Sequence, residues 1–166
     1  MNTLHFEVRI EAYPEDVWYV MFTTETYREW TSVFHPGSYF AGEWKTGATM
    51  RFLTPEGDGM IAEIAQARPF ALMSIKLLGC IRNGVEDTTS EQVRAWTPAF
   101  ENYTLVGVGD DTRLTVQVDV APEHEAWMND IWPRALASLK ALCEAYADKR
   151  QPWRTGAPGT ERPRDF

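Results

Sequence analysis

The sequence predicts an α+β domain: a curved antiparallel sheet of about seven strands wrapped around a long C-terminal helix, with two short helices after the first strand. Three observations carry this reading. Residues 3–11 alternate Leu4, Phe6, Val8 and Ile10 with His5, Glu7, Arg9 and Glu11, the period of a strand with one buried and one wet face. Six further strand-like runs, divided by turn chemistry, follow between residues 38 and 120. Residues 123–148 then carry Met128, Trp132, Ala135, Leu139, Leu142 and Tyr146 as one apolar stripe at helical spacing. Only this last element is large enough to cover the sheet's apolar face.

Taken in order, Pro14-Glu15-Asp16 starts a helix, because proline suits the first helical position and acids favour the positive end of the dipole. Val17, Trp18, Met21 and Phe22 are its stripe. Thr23 or Thr24 caps a second short helix carrying Tyr27, Trp30 and Phe34, broken at His35-Pro36-Gly37. Strands are expected over 38–44, 48–54, 60–67, 70–79, 101–108 and 113–120, with Pro55-Glu56-Gly57-Asp58-Gly59 and Gly109-Asp110-Asp111-Thr112 among the turns. Residues 85–99 are the least patterned and read as an excursion at one end of the sheet, with Ser90 capping a short turn that leads to Val93 and Trp96 and stops at Pro98. Pro133 interrupts the long helix. A kinked single helix is preferred over a break, since the stripe keeps its phase across the proline. The domain is expected over 1–148, followed by a tail, 149–166, rich in Pro and Gly. The tail holds five Lys or Arg against two acids, on a body that carries the excess negative charge; it either folds back on that body or stays mobile.

Composition removes several classes. A net charge of −8 makes a general phosphate-backbone binder a poor reading, so no nucleic-acid partner is expected. No run of apolar residues is long enough for a transmembrane helix and no secretory leader is visible, so membrane insertion is not expected and a cytoplasmic location is. Cys80 and Cys143 fit no paired motif and read as reduced buried thiols. His5, His35 and His124 lack metal-ligand spacing, and no phosphate-binding or nucleophile-elbow motif occurs; neither a metal nor a cofactor is expected. His35 and His124 read as surface or loop-anchoring side chains, and Glu86, Asp87 and Glu91 as a solvated loop.

Twelve of the 21 aromatic residues lie in residues 1–53, where an even spread would place about seven. A bent sheet is not filled by one helix near its ends, so the two aromatic-rich helices form a lid over a remaining opening, and openings of this kind are usual small-molecule sites.

The order of elements resembles the helix-grip fold of the SRPBCC or START-like superfamily. The resemblance is carried by Ala12-Tyr13-Pro14-Glu15-Asp16-Val17-Trp18, by Trp30, by Phe40-Ala41-Gly42-Glu43-Trp44-Lys45-Thr46-Gly47, and by Gly59-Met60-Ile61-Ala62-Glu63-Ile64 followed by Arg68-Pro69. It covers about residues 3–148 and looks most similar to the branch named after the C-terminal domain of the heat-shock-protein-90 ATPase activator. The superfamily includes lipid carriers, hormone receptors, and polyketide cyclases and aromatases. The resemblance therefore implies a cavity for a small hydrophobic molecule, lipid- or polyketide-like, with no assigned catalysis. The branch name implies a chaperone partner as an alternative, and a cyclase- or hydrolase-type pocket enzyme is a third.

Three groups of side chains are candidates for the cavity wall. Trp18, Phe22, Trp30, Phe34, Phe40, Trp44 and Phe52 exceed what one packed stripe needs, and in the resembled fold this region borders the cavity mouth. On the sheet, Met50 and Phe52 share a face, as do Met73 and Ile75, and Tyr103 and Leu105; on the helix, Met128 and Trp132 complete the wall. Each of these also serves as plain core. Glu63 would be a buried acid or base if it points inward, though an outward, solvated position is the commoner one for such a residue. Homodimerisation is an expectation resting on the aromatic content and the weakly patterned segment 85–99.

Overall fold

The computed structural model describes residues 1–156 and Gly159. Strand β1 (Asn2–Ile10) leads into helices α1 (Pro14–Phe22) and α2 (Thr24–Thr31). Strands β2 (Tyr39–Gly42), β3 (Thr49–Leu53), β4 (Gly59–Arg68), β5 (Leu72–Arg82) and β6 (Val85–Asp87) follow, then the single turn α3 (Glu91–Arg94). Strands β7 (Ala99–Val108) and β8 (Asp111–Val120) precede helix α4 (Glu125–Arg150). The antiparallel sheet runs β1-β8-β7-β5-β4-β3-β2, with β6 paired to β5 alone.

Period-two alternation sets the register. Leu4, Phe6 and Val8 face Val118, Val116 and Leu114 across β1 and β8. Tyr103 lies between Met73 and Val116, and Leu105 opposite Leu114, so one continuous apolar face crosses four strands. Register shifts between β4 and β5, at Ile61/Ala62 and at Ile64/Gln66, bend the sheet as bulges do. The concave face receives α4.

Helix α4 is continuous through Pro133. The proline lies on the exposed side, where the carbonyl left without its helical partner meets water, while Ile131, Trp132, Ala135 and Leu136 around it are buried. Pro14 opens α1, as its fixed φ allows. Thr23 occupies the N-cap of α2 but makes no side-chain cap bond. Instead Thr26 Oγ1 donates to the Val20 carbonyl at 2.7 Å and Trp30 Nε1 to the Met21 carbonyl at 3.2 Å, tying α2 back onto α1.

Several boundaries move from the sequence expectation. The sheet has eight strands, because Asn83 (φ 51°) and Gly84 (φ 76°) form a two-residue turn that folds β6 back onto β5. Positive φ at both positions is the signature of the tight hairpin turn that Asn-Gly favours. Phe70, at φ 69°, belongs to the turn before β5 rather than to a strand. Helix α4 ends at Arg150 and not at 148. Just beyond it, residues Pro152–Thr155 form a 3-10 turn that folds back on the body. There Arg154 Nη2 reaches Asp111 Oδ1 at 3.1 Å, and its guanidinium lies 4.6 Å from the Tyr13 ring centre. Arg150 reaches the buried Asp16 at 3.1 Å. The expectation for residues 157, 158 and 160–166 lies outside the described residues.

Candidate functional site

A cavity of about 1070 Å³ opens between the concave sheet, α2, the first half of α4 and the segment from Asp87 to Ala99. Its position follows from side-chain size. Where α4 presents alanine, leucine and cysteine, helix and sheet close on each other; where it presents Met128 and Trp132, they do not. Tyr27, Trp30 and Phe34 enter from the second helix and the turn after it, Phe22 from α1, and Trp44 and Phe52 from the hairpin β2–β3.

The rings pack on one another rather than filling the space. Phe22 and Trp44 are 4.6 Å apart between ring centres, Phe34 and Trp132 are 4.9 Å, and Tyr103 lies 6.2 Å from Trp132 and 6.4 Å from Trp30. These are tilted and edge-on arrangements, the geometries ring quadrupoles favour. The indole N–H groups of Trp44 and Trp132 are buried and have no hydrogen-bond partner among the described residues.

Nine of the fifteen side chains proposed from sequence line this cavity: Phe22, Trp30, Phe34, Trp44, Phe52, Ile75, Tyr103, Met128 and Trp132. Six do not. Met50 and Met73 are fully buried core, and Leu105 lies in the same core cluster. Trp18 packs on Phe22 and Phe70. Phe40 packs against Tyr27 and Trp44 and so supports lining rings from behind. Glu63 is exposed: Ala62 and Ile64 on either side of it are the inward residues of β4, so the strand's alternation turns Glu63 to water.

Among the carboxyls that line the cavity, Glu101 is the one beside Tyr103 on the inner face of the sheet. It stands on the inner face of β7, opposite Ile75 of β5 and Val118 of β8. Tyr103 Oη donates a hydrogen bond to Glu101 Oε1. Burial pushes the Glu101 carboxyl up from the ordinary carboxylate range, and the Tyr103 hydrogen bond opposes that rise. Burial, and then the negative charge of Glu101, push the phenols of Tyr103 and Tyr27 above the usual tyrosine range. The sequence carried the signal for Glu101. It shares the parity of Tyr103 and Leu105, so placing those two inward places Glu101 inward as well.

The segment that looked unpatterned forms a wall. Ser90 Oγ accepts from the Val93 N–H at 3.2 Å and caps α3, which turns Val93 and Trp96 to the cavity. Asp87 steadies the start of this segment by accepting from the backbone N–H of Ser90 at 3.0 Å. The wall lies tightly against β5, since a Cβ at Gly79 would sit 2.0 Å from the Asp87 carbonyl oxygen. Among the described residues, no three His, Cys, Asp or Glu side chains converge as metal ligands. No helix of the described chain is long and apolar enough to cross a membrane.

No protein-family model and no curated protein matches the chain. Solved structures do. The Aha1 dimer from Colwellia psychrerythraea superposes with a TM-score of 0.67 at 18% identity, covering 87% of this chain and 97% of that one. Protein MLL2253 from Mesorhizobium loti gives a TM-score of 0.68 at 16% identity, covering 87% and 98%. DynU16, a protein in the dynemicin biosynthetic locus, gives 0.60 at 18% identity, covering 85% of this chain and 46% of that one. At these identities the likeness establishes the fold alone, a helix-grip fold.

Proposed function

We propose that the chain is a binding protein for a small hydrophobic molecule, lipid- or polyketide-like, held between sheet and helix. The observation that carries this reading is the cavity of about 1070 Å³ walled by the aromatic side chains of α1, α2 and the β2–β3 hairpin. A space of this size, with apolar side chains in the majority and polar and charged ones among them, resembles ligand sites in folded domains. The presence of a similarly folded protein in a biosynthetic locus agrees with it. Four tryptophans line the space, so an apolar or aromatic ligand is expected to change intrinsic fluorescence and raise the melting temperature. A panel of fatty acids, sterols and fused-ring aromatics that moves neither signal rejects the reading.

One observation favours a second reading, a pocket enzyme. Glu101 and Tyr103 are two ionisable groups within hydrogen-bond reach in the same cavity, the minimum that acid–base chemistry needs. Turnover of a bound compound, lost in both Glu101→Gln and Tyr103→Phe, is its test. The chaperone partner implied by the branch resemblance rests on fold alone. Self-association, which that structure's dimer makes worth measuring, is read by light scattering on the purified chain.

A further inference from the structure

We infer that the cavity takes an amphiphile whose polar end is a protonated amine, held by the Glu101 carboxylate; this rests on the reading of the cavity as a ligand site. Glu101 stands in an apolar setting, with Ile75 and Val118 as its cross-strand neighbours and Tyr103 as its hydrogen-bond partner. Among the described residues no cation pairs with it. A carboxylate so placed is costly unless it is neutralised or paired, and among the described residues it is paired with one neutral donor and no cation. A ligand hydroxyl would add a second neutral donor and leave the charge. An ammonium group both donates and neutralises, so it gains most from the site.

The groups around Glu101 agree. Tyr27 and Tyr103 are the titratable side chains that face it, from α2 and β7. Farther out, the same cavity is bordered by Asp87, Asp119 and Glu123 against Arg82 and His124. Asp119 is already occupied, by Thr3 Oγ1 at 2.7 Å and the Phe100 N–H at 2.9 Å, and Asp87 by its own turn. A net charge of −8 adds a field that draws cations and repels anions. The apolar body of the ligand then lies among Trp30, Phe34 and Trp132.

Dodecylamine, dodecanol and dodecanoate share one apolar tail and differ at the head. Their affinities are measured on the full chain, below micelle formation, by displacement of the neutral dye Nile red and by titration calorimetry. Dodecylamine is expected to bind about tenfold tighter than dodecanol near about pH 8, with dodecanoate weakest. The preference should shrink as the pH falls through the range, raised above that of an ordinary carboxylate, in which Glu101 takes up its proton. Where Glu101 is protonated, amine binding should release a proton to the buffer and dodecanol binding should not. Glu101→Gln should bring the amine down to the alcohol. The proton release and the pH series are read on the unaltered protein, so they decide the question even if that variant fails to fold. Equal affinities, or a preference for dodecanoate, overturn the amine while leaving a ligand site standing. Failure of all three tails and of Nile red to bind removes the ligand site itself, and the amine with it.

Discussion

The two ends of the grip use one helix and one sheet to opposite effect. Toward its C-terminus α4 buries Ala135, Leu139, Cys143 and Ala147 completely, in one cluster with Ile10, Val17 and Leu114. Small and aliphatic side chains interdigitate, and helix and sheet close. Toward its N-terminus the helix offers Met128 and Trp132 to rings on α1, α2 and the β2–β3 hairpin. Flat rings that meet edge-on hold one another apart, and no aliphatic side chain fills what they leave. The lesson is that the cavity is set by side-chain shape along one helix and not by a change of fold.

The largest expected effect belongs to the closed end. Leu139→Ala should cost about 2–5 kcal/mol in urea unfolding, because the methyl groups it removes leave an unfilled hole in close packing. Nile red affinity of the folded fraction should stay unchanged. A cost under about 1 kcal/mol would mean that the closed end is not closed.

Glu101→Gln should move stability the other way. The fold raises the Glu101 carboxyl above its unfolded range, so its favourable contribution is full below that range and is lost as pH rises through the raised one. Above that raised range the neutral amide should therefore be the more stable of the two, read as a higher melting temperature in calorimetry. The gain should vanish toward about pH 4, where both residues are neutral. A gain independent of pH would point to packing and not to charge.

Met128→Ala should cost less than about 1.5 kcal/mol, since one side of this residue already meets open space rather than packed atoms. A loss equal to that of Leu139→Ala would erase the contrast between the ends. Leu77→Trp, which grows into the cavity, should change stability by no more than about 0.5 kcal/mol and abolish Nile red binding. Retained binding would place the dye elsewhere.

Much of this was legible in the sequence, and the rest fails for identifiable reasons. The alternation of Leu114, Val116, Val118 and Val120 and the stripe through Trp132, Leu139 and Tyr146 are long, regular signals, and both elements form where the pattern puts them. Strand β6 is three residues long and has too little sequence to show a period, although the Asn83-Gly84 turn announced it. Glu63 and Glu101 have the same chemistry, and only strand parity separates them. Trp44 and Phe40 are two rings four residues apart, one at the cavity and one behind it. No composition rule distinguishes them, because that depends on how Tyr27 of α2 packs against both rings. The wall over residues 88–98 owes its shape to a cap at Ser90 and a backbone turn at Asp87, local bonds that leave no hydrophobic period.

The attachment of that wall has a consequence for how the site can be altered. It leaves β5 by a two-residue turn and rejoins the sheet at Ala99, which is paired directly with Leu77 of the same strand. The strands on either side are thus stapled to each other whatever the excursion between them does. Residues can be added to or removed from the stretch between Asp87 and Ala99 without sliding any strand of the main sheet, and so without disturbing the core at the closed end. An exchange of this loop would therefore change one wall of the cavity alone. The fixed point of that loop is Gly79, where any side chain would lever Asp87 off the sheet.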